Sequence, residues 1–190
     1  MKNTSLAFID TETTGLDCKR NEMIELAVIL TKINYENDQS SLVTIEEKEW
    51  KIKPSKMETA DPRALKINGY NETDWLFAPD LKSVMEDFTQ KTSGYILVAH
   101  NLIFDWGFLN EAFLETGIKD NSSHIKLDTL SIAYAKFIDK NISGLSLKAL
   151  AEYYGLKNER AHTALADTRV TRSIFCRLMN LNEENDNPRR

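Results

Sequence analysis

Apolar side chains recur along this chain in two rhythms, and each predicts a different element. Short, nearly continuous apolar runs predict buried strands at Ser5 to Ile9, Met23 to Ile33, Tyr95 to Val98 and, more briefly, Ile125 to Leu127. Leu42 to Ile52 alternates in part, with Val43, Ile45 and Trp50 among polar residues. It predicts a hairpin partner for the strand before it, across the polar, turn-like Tyr35 to Ser41, and Pro54 ends it. Helical spacing takes over at Leu81, Val84, Met85 and Phe88, and again at Phe104, Phe108, Leu109, Phe113 and Leu114. Three further helices are predicted: one capped by Asp128-Thr129 and running to Ile138, one from Ser146 to Tyr154 stopped by Gly155, and one from Thr163 to Leu181. Residues 55–79 predict loops with short helices, broken by Pro62, Gly69 and Pro79, with Asn68-Gly69 marking a turn. Three consecutive strands followed by a strand–helix alternation predict an α/β domain, a mixed sheet with helices packed on it. It spans residues 1–181, with a polar, disordered tail over 182–190.

Composition narrows the class. A chain of 190 residues with 42% hydrophobic and 28% charged positions is that of one globular domain. No apolar run approaches the roughly 20 residues that cross a bilayer, and Leu6-Ala7-Phe8-Ile9 is too short for a signal peptide's core, so a cytoplasmic protein is expected. Cys18 and Cys176 match no metal spacing and are expected to be free thiols in a reducing compartment. The net charge of −5 argues against a protein that coats nucleic acid without specificity. It leaves room for a local basic strip, for which Lys148, Lys157, Arg160 and Arg169 are candidates, although a solvated charged face is the default reading of each.

Three short motifs carry chemistry: Asp10-Thr11-Glu12-Thr13-Thr14-Gly15-Leu16, Ala99-His100-Asn101-Leu102-Ile103-Phe104-Asp105, and Ala161-His162-Thr163-Ala164-Leu165-Ala166-Asp167. Asp10 and Glu12 lie two apart at the end of a strand, where i and i+2 point to one side. Two carboxylates held that close repel unless a cation sits between them. Asp105 starts a helix just after a strand, where sites of open α/β sheets collect, though a helix N-terminus also favours an acid for its own sake. His162 and Asp167, five apart, do not share a face of one helix. His162 therefore belongs to the segment entering the last helix and Asp167 to its first turns. His100 is expected to be a packed, hydrogen-bonded residue and Asp128 a helix cap. Hard divalent cations need oxygen ligands, and four carboxylates from distant segments can hold two of them.

In this order and at these separations the motifs resemble those of the DEDDh-type 3′→5′ exonucleases, and the likeness extends over residues 5–181, including Leu145 to Ala151 and Asp128-Thr129-Leu130. The resemblance implies a ribonuclease H-like fold, a five-stranded mixed sheet flanked by helices. It implies that Asp10, Glu12, Asp105 and Asp167 bind two Mg²⁺ or Mn²⁺ ions, with His162 as general base for the attacking water and nucleoside 5′-monophosphates as products. Thr13, Thr14, Gly15 and Leu16 would receive the terminal nucleotide, Gly15 by letting the backbone approach and Leu16 by wedging against the last base. Asn101 and Phe104 join them as substrate contacts, with a core aromatic the alternative for Phe104. Arg63 and Asn68 are weaker candidates, because many relatives carry His-Gly where this chain has Asn68-Gly69. The expected partners are single-stranded DNA or RNA 3′ ends, with polymerase association or a homodimer as further expectations. The scarcity of basic clusters favours DNA. Trimming of RNA 3′ ends, hydrolysis of very short oligonucleotides and a catalytically silent polymerase-associated module are the alternatives.

Overall fold

The structure is a computed structural model that describes residues 4–36, 39–157 and 163–184. Its centre is a mixed sheet. Strands β1 (Ser5–Thr13), β2 (Met23–Glu36) and β3 (Gln39–Lys51) run antiparallel in sequence. After helices α1 (Pro62–Asn68), α2 (Glu72–Trp75) and α3 (Leu81–Lys91), β4 (Ile96–Ala99) returns parallel to β1. Helix α4 (Leu102–Thr116) leads to β5 (Lys126–Asp128), parallel to β4. Helices α5 (Thr129–Phe137), α6 (Leu147–Tyr154) and α7 (Ala164–Met179) follow. The predicted elements are present, with both hairpin strands longer than expected: β2 reaches Glu36 and β3 begins at Gln39, so Tyr35, Glu36 and Gln39 to Ser41 belong to strands.

The sheet has six strands among the described residues, in the order β5-β4-β1-β2-β3-β6, rather than the expected five. The sixth, β6 (Asn182–Glu184), lies in the segment expected to be a disordered tail. Its side chains are polar, but a strand is held by its backbone, and it pairs parallel with Ser41 to Val43 of β3. The Glu183 carboxylate accepts from Arg172 at 2.9 Å and Ser173 at 3.0 Å, which pins the strand to α7. Pro62 opens a helix rather than breaking one. It occupies the first turn of α1, where its missing N–H is no loss, while Asp61 caps the helix and Gly69 closes it with φ 69°.

β1 explains the layering. Ala7 and Ile9 project into a core shared with α3 and α4, made with Val84, Met85, Phe88, Phe108 and Leu109. Leu6 and Phe8 project the other way, onto α7, where the rings of Phe8 and Phe175 meet edge-on at 5.3 Å. A strand covered on both faces is apolar throughout, which is why Leu6 to Ile9 is a continuous run. Within α4, Leu114 leaves the stripe and is 67% exposed, because it lies about 100° around the helix from buried Phe113.

Candidate active site

The same alternation continues past the core into the acids. Asp10 and Glu12 keep the parity of Leu6 and Phe8, so they face α7, and Asp167 in the first turn of α7 meets them there. One carboxylate oxygen from each of Asp10, Glu12 and Asp167 lies within 4.8 Å of the others. Thr11 keeps the parity of Ala7 and Ile9 and faces α4. Its backbone N–H and hydroxyl both donate to Asp105 Oδ1, at 3.0 and 2.8 Å. Asp105 is therefore drawn toward the other side of the strand end. It lies close enough to Asp10 to repel it, but it stands outside the group of three. His162, and Arg160 of the expected basic strip, lie outside the described residues.

Electrostatics agree with a cluster that wants a cation. Burial, followed by repulsion from Asp105, Asp167, Glu12 and Glu25, holds the Asp10 carboxyl far above its ordinary value. Burial and then Asp167, Glu25 and Asp105 push Glu12 up to about 8. Asp105 is pushed up to about 7 by burial, against the two Thr11 hydrogen bonds. Among the described residues no Lys or Arg forms a salt bridge with Asp10, Glu12 or Asp105. An all-oxygen donor set crowded with like charges fits a hard divalent ion such as Mg²⁺ or Mn²⁺.

A fifth carboxylate belongs to this neighbourhood and was not singled out from sequence. Glu25 on β2 stands directly opposite Glu12 in the β1–β2 ladder and is 4% exposed. Its carboxyl is raised by burial, and the Ala164 N–H at the start of α7 opposes that shift. The signal was present as one acid inside the apolar run Met23 to Leu30.

The loop after β1 is built from its own polar side chains. Thr14 is fully buried, its N–H donating to the Glu22 carbonyl and its hydroxyl accepting from the Glu22 N–H, both at 2.8 Å. The Thr13 hydroxyl donates to the Gly15 carbonyl at 2.6 Å. Asn68, expected as a substrate contact, is 7% exposed and donates to the Thr13 carbonyl at 3.0 Å, so its carboxamide ties α1 to the end of β1. A Cβ on Gly15 would fall 2.3 Å from Asn21 Oδ1, so packing within the loop already demands glycine there. Leu16 is 85% exposed at the tip of this loop. Arg63 is exposed on α1.

Phe104 is half-buried, packed on the core with its ring 5.1 Å from Phe108, so it is a core aromatic that remains partly exposed. Asn101 starts α4 in the left-handed region with φ 67°, and its N–H donates to Asp128 Oδ1 at 2.9 Å. Asp128 also caps α5 through the Leu130 and Ser131 N–H groups. One carboxylate thus fastens the starts of both helices, as its expected capping role required. His100 is hydrogen-bonded through Nδ1 to the Thr129 hydroxyl at 2.9 Å, and burial holds its pKa below the ordinary value. Of the expected basic strip, Arg169 is engaged by Glu47, and Lys148 lies 4.0 Å from Glu152. Both cysteines are free, and burial pushes the Cys176 thiol up to about 12. No helix among the described residues is long and apolar enough to cross a membrane.

Comparison with known proteins bears on the same region. Residues 7–175 match the RNase T family, described as exonuclease. The chain is 30% identical to ribonuclease T of Shewanella denitrificans, over 90% of this chain and 79% of that protein. It is 31% identical to ribonuclease T of Haemophilus influenzae, over 90% and 78%. Among solved structures, E. coli exonuclease I in complex with a dT13 oligonucleotide superposes with a TM-score of 0.74 at 17% identity, covering 93% of this chain and 40% of that one. This chain thus spans about two fifths of exonuclease I. Cell-death related nuclease 4 superposes with a TM-score of 0.71 at 20% identity, covering 93% of this chain and 64% of that one.

Proposed function

The chain belongs to the RNase T exonuclease family and is a 3′→5′ exonuclease by that membership, and on that premise we propose that it releases nucleoside 5′-monophosphates from single-stranded 3′ ends with Asp10, Glu12, Asp105 and Asp167 as metal ligands. The observation that carries this reading is the meeting of Asp10 and Glu12 with Asp167 within 4.8 Å, beside a buried Asp105. Two Mg²⁺ or Mn²⁺ ions held by these four acids would supply the Lewis acidity that activates water and steadies the leaving 3′ oxygen. His162 removes the proton of the attacking water, a task suited to a group that titrates near neutrality. Water oxygen joins phosphorus, the bond from phosphorus to the 3′ oxygen breaks, and that oxygen leaves as the new 3′ hydroxyl. Leu16 lies against the terminal base, and the partly exposed Phe104 flanks it, a mode of recognition that ignores base identity.

Two sugars remain in play. The net charge of −5 and the lack of an evident basic cluster in the sequence support DNA, whereas the name ribonuclease T borne by relatives at 30% identity supports RNA. Matched 5′-labelled single-stranded DNA and RNA oligonucleotides, with Mg²⁺, Mn²⁺ or EDTA and an Asp10→Ala control, decide both questions. A ladder shortening by single nucleotides from the 3′ end, lost in EDTA and in the variant, is expected, and the faster polymer names the substrate. Metal-independent cleavage, or full activity in Asp10→Ala, would refute the assignment.

A further inference from the structure

The helix that delivers Asp167 is not capped by its own N-cap side chain. Thr163 makes no side-chain cap bond to α7. The first N–H groups of α7 meet carboxylates from the sheet instead: Ala164 N–H points to Glu25 Oε2 at 3.4 Å, and Leu165 N–H donates to Glu49 Oε1 at 3.0 Å. The two acids come from neighbouring strands. Glu49 is the ladder partner of Ala27, two residues along β2 from Glu25, so both project from one face of the sheet. Unpaired N–H groups and the positive end of the helix dipole make a helix start the natural seat for carboxylates. Two acceptors on separate strands fix more than one could, setting both how far α7 advances along the sheet and how it is rotated.

Asp167 lies only two residues beyond Leu165, its own N–H bonded to the Thr163 carbonyl at 3.1 Å. A slip of the helix start therefore carries Asp167 with it. We propose that Glu25 and Glu49 are positioning residues, a two-carboxylate dock that seats α7 so that Asp167 completes the cluster with Asp10 and Glu12. This rests on the metal-site reading above. Glu25 opposes Glu12 directly, so its charge could act on a bound cation without any contact to the helix. The test must separate acceptor from charge, and glutamine does so by keeping a hydrogen-bonding oxygen and discarding the charge.

The experiment is Mn²⁺ titration of the full chain, following free Mn²⁺ by electron paramagnetic resonance, for Glu25→Ala, Glu25→Gln, Glu49→Ala and Glu49→Gln. Amide exchange at Ala164 and Leu165 is measured alongside. Glu49 is exposed, so its variants stay folded even where Glu25→Ala does not. Alanine at either position is expected to weaken Mn²⁺ binding on the order of 10–100-fold, as loss of groups that orient metal ligands does, and to speed exchange at the amide it released. Glutamine is expected to restore both to within about threefold, since it replaces the acceptor that orients the helix. Alanine variants that bind Mn²⁺ like wild type would overturn the proposal. Glutamine variants as weak as alanine would overturn it too, by showing that charge and not seating matters. Wild-type protein that takes up no Mn²⁺ would fail the metal-site reading itself, and this inference with it, before any variant is compared.

Discussion

Replacing Glu12 by Gln should make the metal-free protein more stable, and only at the alkaline end of its range. Glu12 is held at about 8 against an ordinary 4.5. Folding therefore favours its protonated form. The stability so gained is fully present below about pH 4.5, drains away as pH rises, and is gone above about pH 8. At about 1.36 kcal/mol per pH unit, ionised Glu12 opposes folding by roughly 5 kcal/mol at the alkaline limit. Discounting by about half, for water reaching the open side of the cluster, leaves roughly 2–3 kcal/mol. For a chain of this size that is a rise in Tm of about 4–12 °C in Glu12→Gln. The assay is urea or thermal unfolding followed by circular dichroism in EDTA, at about pH 5 and about pH 8. Wild type and variant should nearly coincide at the lower pH and separate at the higher. Saturating Mg²⁺ should then reverse the order, because an ion that binds only the folded state stabilises wild type by mass action. Parallel pH dependences, or a less stable variant at about pH 8 without metal, would refute the argument that these acids are crowded against one another.

Asp10→Ala and Asp167→Ala should each abolish Mg²⁺-dependent hydrolysis without lowering the melting temperature in EDTA, since each takes a carboxyl group out of a crowded cluster; a lower apo melting temperature in both would count against it. His162→Ala should retain Mn²⁺ binding and lose on the order of 10²–10⁴-fold in turnover, and unchanged turnover would remove His162 from the reaction. Gly15→Ala should cost about 1–3 kcal/mol by forcing a Cβ into Asn21, 2.3 Å away. In an Asn21→Ala background that cost should largely vanish. A cost that persists in the double variant would refute Asn21 as the source of the constraint.

What the sequence made legible follows from periodicity. Asp10 and Glu12 could be assigned to one face because a strand alternates strictly, and Asp167 to the first turns of the last helix because helical spacing starts there. The division of labour at Thr11 was not legible. That Asp105 would be held by Thr11 on the α4 side of β1, and stand outside the trio, depends on which helix covers which face of β1, and no local pattern encodes that. Glu25 was masked by its apolar neighbours, although a charge in a buried strand is itself a cue. β6 escaped because Asn182, Glu183 and Glu184 have no strand preference. Their pairing with β3 is made by backbone, and their anchor, Arg172, lies a full element away in the chain. Asn68 and Gly15, expected as substrate contacts, also have structural roles that the sequence did not show: Asn68 on α1 donates to the Thr13 carbonyl, and Gly15 leaves room for Asn21.

Asp10 and Glu12 belong to the first strand, Asp105 to the middle of the chain and Asp167 to the last helix. On a ribosome the N-terminal segments emerge first, at about 5–20 residues per second. The nascent polypeptide would present two of the clustered acids with β1 and then lack the third until α7 has been made and has docked. If Asp167 is a required metal ligand, as proposed above, an intermediate that lacks α7 would be hydrolytically inert. A stop between β5 and α7 would leave a chain with five of the six described strands and no complete cluster, so on the proposed ligand set the order of the acids along the chain would hold activity back until α7 is in place.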